Sequence, residues 1–255
     1  MKPVTPKKAL GQHFLCDQTI AQEIVDSLRT PNPNLLEIGP GMGVLTQYLI
    51  QKPGIHFQAV EIDRESVAYL RKRFPQLDGH IIADDFLKLA LPDLFKEKVS
   101  IIGNFPYNIS SQILFKILDH KDLITETVGM FQKEVAERVA SAPGKKMYGI
   151  LSVLMQAFFD IEYLFTVHEN SFNPPPKVKS AVIRITRNPM KSLRCDEQLF
   201  KSVVKSAFNQ RRKTLRNSLR SFQFNPEFAD NKIFTKRPEQ LSVSEFEELC
   251  LQINQ

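Results

Sequence analysis

Leu35-Leu36-Glu37-Ile38-Gly39-Pro40-Gly41-Met42-Gly43-Val44-Leu45-Thr46 reads as an apolar run, a glycine turn and the opening of a helix whose Leu45, Leu49 and Ile50 recur at helical spacing. Strand, tight turn and helix in that order form the unit from which open parallel α/β sheets are wound. Such sheets bind ligands outside the carboxyl ends of their strands, which is where this turn falls. Its glycines let backbone approach a ligand closely, and the start of a helix offers unpaired amides. Val44 stands where the dinucleotide fingerprint has its third glycine. A pyrophosphate site, and with it a nicotinamide-dependent dehydrogenase, is therefore disfavoured.

Three more apolar runs follow, each ending in a polar residue. The run through Phe57, Ala59 and Val60 ends in Glu61, twenty-two positions after Gly39. A carboxylate there can accept hydrogen bonds from both hydroxyls of a ribose, and its pairing with the glycine turn points to an adenosine-containing cofactor. Read more plainly, Glu61 or Asp63 caps the helix bearing Val67, Leu70 and Phe74. Ile81 to Ala83 leads into Asp84-Asp85. Consecutive side chains point apart, so a shared metal ion is not expected; Asp84 is read as facing the ligand and Asp85 as a cap.

The fourth run, Val99 to Ile102, meets Gly103-Asn104-Phe105-Pro106-Tyr107-Asn108-Ile109-Ser110. Asn104 and a carbonyl freed at Pro106 would accept two hydrogen bonds from an exocyclic amine, with Tyr107 offering a face to a flat ring. Those residues alone also make an ordinary turn. Upstream, Met1 to Leu10 is a basic arm with Lys2, Lys7 and Lys8, and Asp17 is placed to cap a helix bearing Ile20, Ile24, Val25 and Leu28. His13, between them, reads by itself as a surface or capping histidine.

Downstream, the pattern predicts a helix around Ile113 to Leu118, a strand over Thr127 to Phe131, and a helix over Glu134 to Ala140. A long apolar helix over Ile150 to Phe159, a strand over Tyr163 to Val167 and another over Ala181 to Thr186 follow. The stiff loop Phe172-Asn173-Pro174-Pro175-Pro176-Lys177 connects the last two. After Asn188-Pro189 only helical patterns remain, so residues 1–187 are drawn as an α/β domain and 188–255 as a small helical one. From Lys201 to Arg220 there are bases and no acids, an electrostatic footprint suited to nucleic acid.

The 255 residues, 42% of them hydrophobic, suffice for a full core, and a net charge of +6 favours a polyanionic partner. Three widely spaced cysteines indicate neither a disulfide framework nor a zinc site. The sequence has no apolar run of membrane-spanning length and no signal-peptide core, so a cytoplasmic location is expected.

In order and spacing, six segments resemble the rRNA adenine N6-dimethyltransferase family: 11–15, 37–43, 61–63, 103–110, 172–180 and 210–216. The resemblance spans nearly the whole chain, with His13 where Asn is usual and Phe105 where Leu is usual. It implies a Rossmann-like S-adenosylmethionine-dependent methyltransferase domain followed by a small all-helical RNA-binding domain. It further implies that Gly39 and Gly41 in the glycine turn, Glu61 on the ribose, Asp84 near the adenine, His13 and Leu15 near the methionine portion, and Asn104 hold the cofactor. Asn104 and Pro106 would accept from the target amine while Tyr107 and Phe172 sandwich its base. Lys177, Arg211, Arg212, Lys213 and Arg216 would hold RNA. The implied reaction is dimethylation of N6 of two adjacent adenines near the 3′ end of 16S rRNA, by a monomer acting on an immature small ribosomal subunit without a metal. The alternatives are a resistance-type 23S rRNA methyltransferase and a mainly non-catalytic assembly factor.

Overall fold

The computed structural model describes residues 3–29 and 32–254, so Lys2 of the basic arm lies outside the described residues. The strands are β1 Phe14–Leu15, β2 Asn34–Ile38, β3 His56–Val60, β4 Ile81–Ile82, β5 Val99–Asn104, β6 Ile124–Gln132, β7 Phe159–Val167, β8 Phe172–Asn173 and β9 Ser180–Arg187. Seven of them form one sheet in the order β4-β3-β2-β5-β6-β9-β7, while β1 and β8 pair separately and antiparallel. From β4 to β6 every pairing is parallel, and β9 runs antiparallel to β6. The apolar residues of β2 are buried, as expected of a parallel strand covered on both faces.

Chain order runs outward from β2 to β4 on one side and from β5 on the other. The sheet therefore changes direction between β2 and β5, where Glu37 lies opposite Ile102. This topological switch opens a crevice beyond their carboxyl ends.

The helices are α1 Gln18–Asp26, α2 Thr46–Leu49, α3 Arg64–Arg73, α4 Leu91–Leu94, α5 Ser110–Asp119, α6 Lys133–Ala140, α7 Ile150–Gln156, α8 Glu197–Asn209, α9 Leu215–Ser218 and α10 Val243–Leu251. Asp17 caps α1 by accepting from the amides of Thr19 and Ile20, and Asp63 caps α3 by accepting from Glu65. Asp85 caps the turn after β4 by accepting from Leu87.

The apolar stretch read as one helix over 150–159 ends at Gln156, and Phe159 already begins β7. Phe159, Ile161, Tyr163, Phe165 and Val167 recur at every second position, and this strand period prevails over the helical one. By contacts the chain forms two compact units, Met1–Ala136 with Ile161–Arg187, and Glu137–Asp160 with Asn188–Gln255. The second unit is thus discontinuous, whereas the sequence reading drew a single line after residue 187. In that unit α7 packs on α8 and α10 and buries Leu151, Val153, Leu154 and Met155.

Candidate active site

The glycine turn after β2 is set by backbone conformation. Gly39, Gly41 and Gly43 all have positive φ, at 65°, 56° and 79°. A Cβ on Gly43 would come within 2.4 Å of the Phe74 ring, so this glycine exists for the packing of α3. Gly39 differs: a Cβ there would meet only Pro106 Cδ, at 4.0 Å, and the residue lines the crevice. Only this position in the turn combines left-handed backbone with open space for a ligand.

Glu61, just past β3, is buried, and its Oε2 accepts from the Gly41 amide at 3.0 Å while its Oε1 accepts from the Asp63 amide at 2.9 Å. Burial raises its pKa, and those amide bonds oppose the rise. Each oxygen keeps a further lone pair for a hydroxyl donor. Asp84 is exposed and lines the same crevice with Gly39, Glu61, Ile62 and Pro106. Ile62, 52% exposed beside it, is an apolar surface that the sequence reading passed over; its signal was an apolar residue between two acids.

Glu37 also went unassigned. It is buried at the end of β2, accepts the Thr46 hydroxyl at 2.6 Å, and lines a narrow part of the crevice with Leu15, Gly41, Met42 and Asn104. Burial pushes its carboxyl up to about 8. An acid inside an otherwise apolar strand was the available signal.

The segment 7–13 is brought to this edge by long-range bonds. Lys7 pairs with Asp63, Gln12 Nε2 donates to Asp63 at 3.3 Å, and Gln12 Oε1 accepts from the Lys7 amide at 2.9 Å. Burial alone would raise the Asp63 carboxyl, but the bonds from Lys7, Ser66 and Gln12 outweigh it and hold the group below the usual range.

Asn104 is the last residue of β5 and so inherits the precision of the sheet. Its Nδ2 donates to the His13 carbonyl at 3.0 Å, which orients the amide and leaves Oδ1 as an acceptor. The Pro106 carbonyl, expected to be free, already accepts from the Ile109 amide at 3.3 Å and the Ser110 hydroxyl at 3.2 Å, because a short helical turn begins there. Both bonds are long and weak. Phe105, in place of the usual Leu, is fully buried and meets Phe131 edge-on at 4.9 Å. Gly103 and Gly129 make room for it, since a Cβ on either would approach its ring within 2.6 or 2.3 Å.

Tyr107 is half-buried, bonds through its hydroxyl to Ser180, and stacks on the His13 ring at 5.4 Å. His13 Nδ1 lies 2.8 Å from the Pro174 carbonyl. His13 lines both the crevice with Gly39 and Glu61 and a cleft of about 830 Å³ that is also lined by Tyr107, Gln132, Pro174 and Lys177 among others. That volume is within the range of small-ligand sites.

Phe172, expected to be the second face of a sandwich, is instead 3% exposed and part of the core. The β1–β8 pairing puts it opposite Leu15, whose side chain is buried as well. In the second unit, Arg211 donates to the Lys146 carbonyl and Arg216 to the Ala229 carbonyl while lying over the Phe234 ring. Arg212, Lys213, Arg216 and Arg220 are exposed. Among the described residues no group of three or more His, Cys, Asp or Glu side chains is arranged to hold a metal ion, and no helix is long and apolar enough to cross a membrane.

Residues 4–250 match the family model described as ribosomal RNA adenine dimethylase. The chain is 59% identical to a ribosomal RNA small subunit methyltransferase A of Bacteroides thetaiotaomicron, over 100% of this chain and 96% of that protein. It is 61% identical to the protein of the same name from Phocaeicola vulgatus, over 98% of this chain and 90% of that one. Among solved structures, a dimethyladenosine transferase from Plasmodium falciparum superposes with a TM-score of 0.78 at 24% identity, covering 94% of this chain and 96% of that one. The 23S rRNA methyltransferase ErmE superposes with a TM-score of 0.70 at 26% identity, covering 94% and 100%.

Proposed function

The chain belongs to the ribosomal RNA adenine dimethylase family, and from that premise we propose that it transfers methyl groups from S-adenosylmethionine to N6 of two adjacent adenines near the 3′ end of 16S rRNA. The observation that carries this reading is the convergence, at one topological switch point, of an acceptor amide at Asn104, an open glycine at Gly39 and a buried carboxylate at Glu61. The small-subunit substrate is favoured over a resistance-type 23S one by the similarity itself, 59–61% against 26%. By the same family likeness it acts as a monomer in the cytoplasm, on an immature small subunit.

The residues fit S-adenosylmethionine. Gly39 leaves open space, Glu61 has lone pairs for the ribose, Ile62 and Asp84 offer an apolar surface and an acceptor for the adenine, and His13 and Leu15, which line the crevice beside Gly41 and Asn104, would hold the methionine portion. When bound, the cofactor supplies a methyl group activated by a sulfonium leaving group.

The chain's own task is to make a poor nucleophile react. The lone pair of an adenine amine is delocalised into the ring. Acceptance of an N6 proton by Asn104 Oδ1 favours the pyramidal nitrogen that forms as the methyl bond is made. The Pro106 carbonyl joins by exchanging its two weak internal bonds. Tyr107 stacks on the base, and the His13 ring braces Tyr107 from behind. With the leaving group already activated, orientation supplies much of the rate and no strong base is needed. Stacking on an aromatic ring contributes about 1–3 kcal/mol per base, which offsets the cost of unstacking it from a loop. Exposed Arg212 and Lys213, with Lys177 by the cleft, contact RNA phosphates; Arg216, also exposed, and the half-buried Arg211 spend donors on the Ala229 and Lys146 carbonyls and so contribute less.

The test is a labelled-methyl assay with immature small subunits, naked 16S rRNA and large subunits, followed by mapping of the modified bases. Two adjacent N6,N6-dimethyladenines in small subunits alone are expected. Label appearing in large subunits would favour the 23S reading, and label in none would remove the enzymatic one.

A further inference from the structure

Two turns into α5, beyond the Asn104–Tyr107 turn, Lys116 points into a site of its own making. Its ammonium donates to the carbonyls of Phe86, at 2.7 Å, of Leu87, at 3.0 Å, and of Leu89, and lies 5.0 Å from the centroid of the Phe86 ring. An ammonium has three N–H donors, and these three carbonyls accept all of them. The carbonyls belong to one loop, and their dipoles converge on one point, an arrangement that is repulsive without a cation at its centre. A compact point charge suits it, whereas a planar guanidinium with its fixed fork does not.

The loop gathered in this way carries Asp84, Asp85, Phe86 and Leu87 along one wall of the crevice, facing Gly39, Glu61 and Ile62. Pro106 and Ile109, which lead into α5, line the same crevice. The ties described within the loop are short-range: the Asp85 amide donates to Asp84 Oδ1 at 2.6 Å, Asp85 caps Leu87, and two turn bonds run from Lys88 to Asp85 at 2.9 Å and from Leu89 to Phe86 at 3.3 Å. Lys116 joins this wall by three hydrogen bonds to the helix growing out of the Asn104 turn.

We propose that Lys116 is a positioning residue for the adenine of the cofactor. By holding residues 84–89 against α5, its ammonium sets the spacing between the Asp84 wall and the Asn104 turn. The proposal rests on the reading above that S-adenosylmethionine occupies this crevice, adenine toward Asp84.

The experiment is calorimetric titration of the parent and of Lys116→Met, which keeps the aliphatic stem and removes the donors. Two ligands are used, S-adenosylhomocysteine and 5′-methylthioadenosine; the latter has the adenosine but no amino-acid end. Both are expected to bind about tenfold more weakly to Lys116→Met, with kcat at saturating S-adenosylmethionine retained and KM raised. Lys116→Arg should not restore affinity, because its donors do not converge. Unchanged affinity for 5′-methylthioadenosine in Lys116→Met overturns the proposal, as does a fall in kcat with KM unchanged. If Lys116→Met does not fold, Phe86→Leu, which removes the ring beneath the ammonium, is expected to weaken both ligands about threefold, and unchanged affinity there overturns it equally. A parent that binds neither ligand would sink the cofactor reading itself, a result distinct from a parent that binds both and a variant that binds them equally well.

Discussion

The turns after β2 and β5 are neighbours on one sheet edge, yet they are built in opposite ways. The first is held by backbone: positive φ at three glycines, and aromatic rings packed where Cβ atoms would be. The second is held by side-chain and carbonyl bonds, with Asn104 tied to His13, Pro106 to Ser110 and Tyr107 to Ser180. A backbone-built turn offers shape, which suits a cofactor that must be held. A side-chain-built turn offers directed acceptors and a ring, which suits a base that must be made to react. The contrast predicts that damage to the two will separate into stability and binding on one side and catalysis on the other.

The sharpest test of that separation is Asn104→Ala. Methyl transfer should fall by about 10²–10³-fold, while S-adenosylhomocysteine affinity by calorimetry stays close to the parent value. Equal losses in both would erase the contrast. Next comes the glycine turn. Gly43→Ala forces a Cβ onto Phe74 at positive φ and should cost about 2 kcal/mol in urea unfolding. Gly39→Ala has open space and should cost about 1 kcal/mol, with its main loss in cofactor affinity. A Gly39 variant less stable than the Gly43 one would mean the ring contacts do not govern this turn.

A third test concerns Glu37, which lies between the two turns. Its carboxyl is raised by burial to about 8, so between its ordinary value near 4.5 and that pH the folded chain keeps a proton that the unfolded chain has released. This contribution is complete below about pH 4.5 and is lost as the pH rises to about 8. Glu37→Gln should remove that part of the pH slope, so its stability relative to the parent should rise toward pH 8. A parallel slope in both proteins would show that Glu37 is not held neutral. The smallest effect is expected from the exposed basic charge of the second unit. Replacing Arg212 and Lys213 by Ala should lower the slope of log affinity against log salt by about one per phosphate contact and leave cofactor affinity unchanged. Arg216→Ala should instead lower stability, because that side chain is bonded to Ala229 and packed on Phe234.

Much of the site was legible because a parallel sheet puts the ends of its strands on one edge. Any polar residue closing an apolar run is then a candidate, which singles out Glu61, Asp84 and Asn104, and all three line the crevice. Glu37 escapes this reading, because an acid within a buried run looks like an exception to the pattern. Phe172 was drawn into the site by its aromatic character, and only the β1–β8 pairing turns it into the core. His13 reads alone as a surface residue, yet its carbonyl orients Asn104 and its ring meets Tyr107.

By itself the sequence determines the α/β class, the strand–glycine turn–helix at residues 35–46 and the capping of its helices by Asp17, Asp63 and Asp85. These depend on periodicity and on side chains reaching amides two or three residues away. The tertiary structure alone decides which strand ends are neighbours, that Lys7 and Gln12 fasten the amino-terminal arm to Asp63, and that residues 137–160 belong with the carboxy-terminal helices. Each of these pairs groups far apart in the chain, and such pairing follows from packing and hydrogen-bond register, which leave no local period in the sequence to be read.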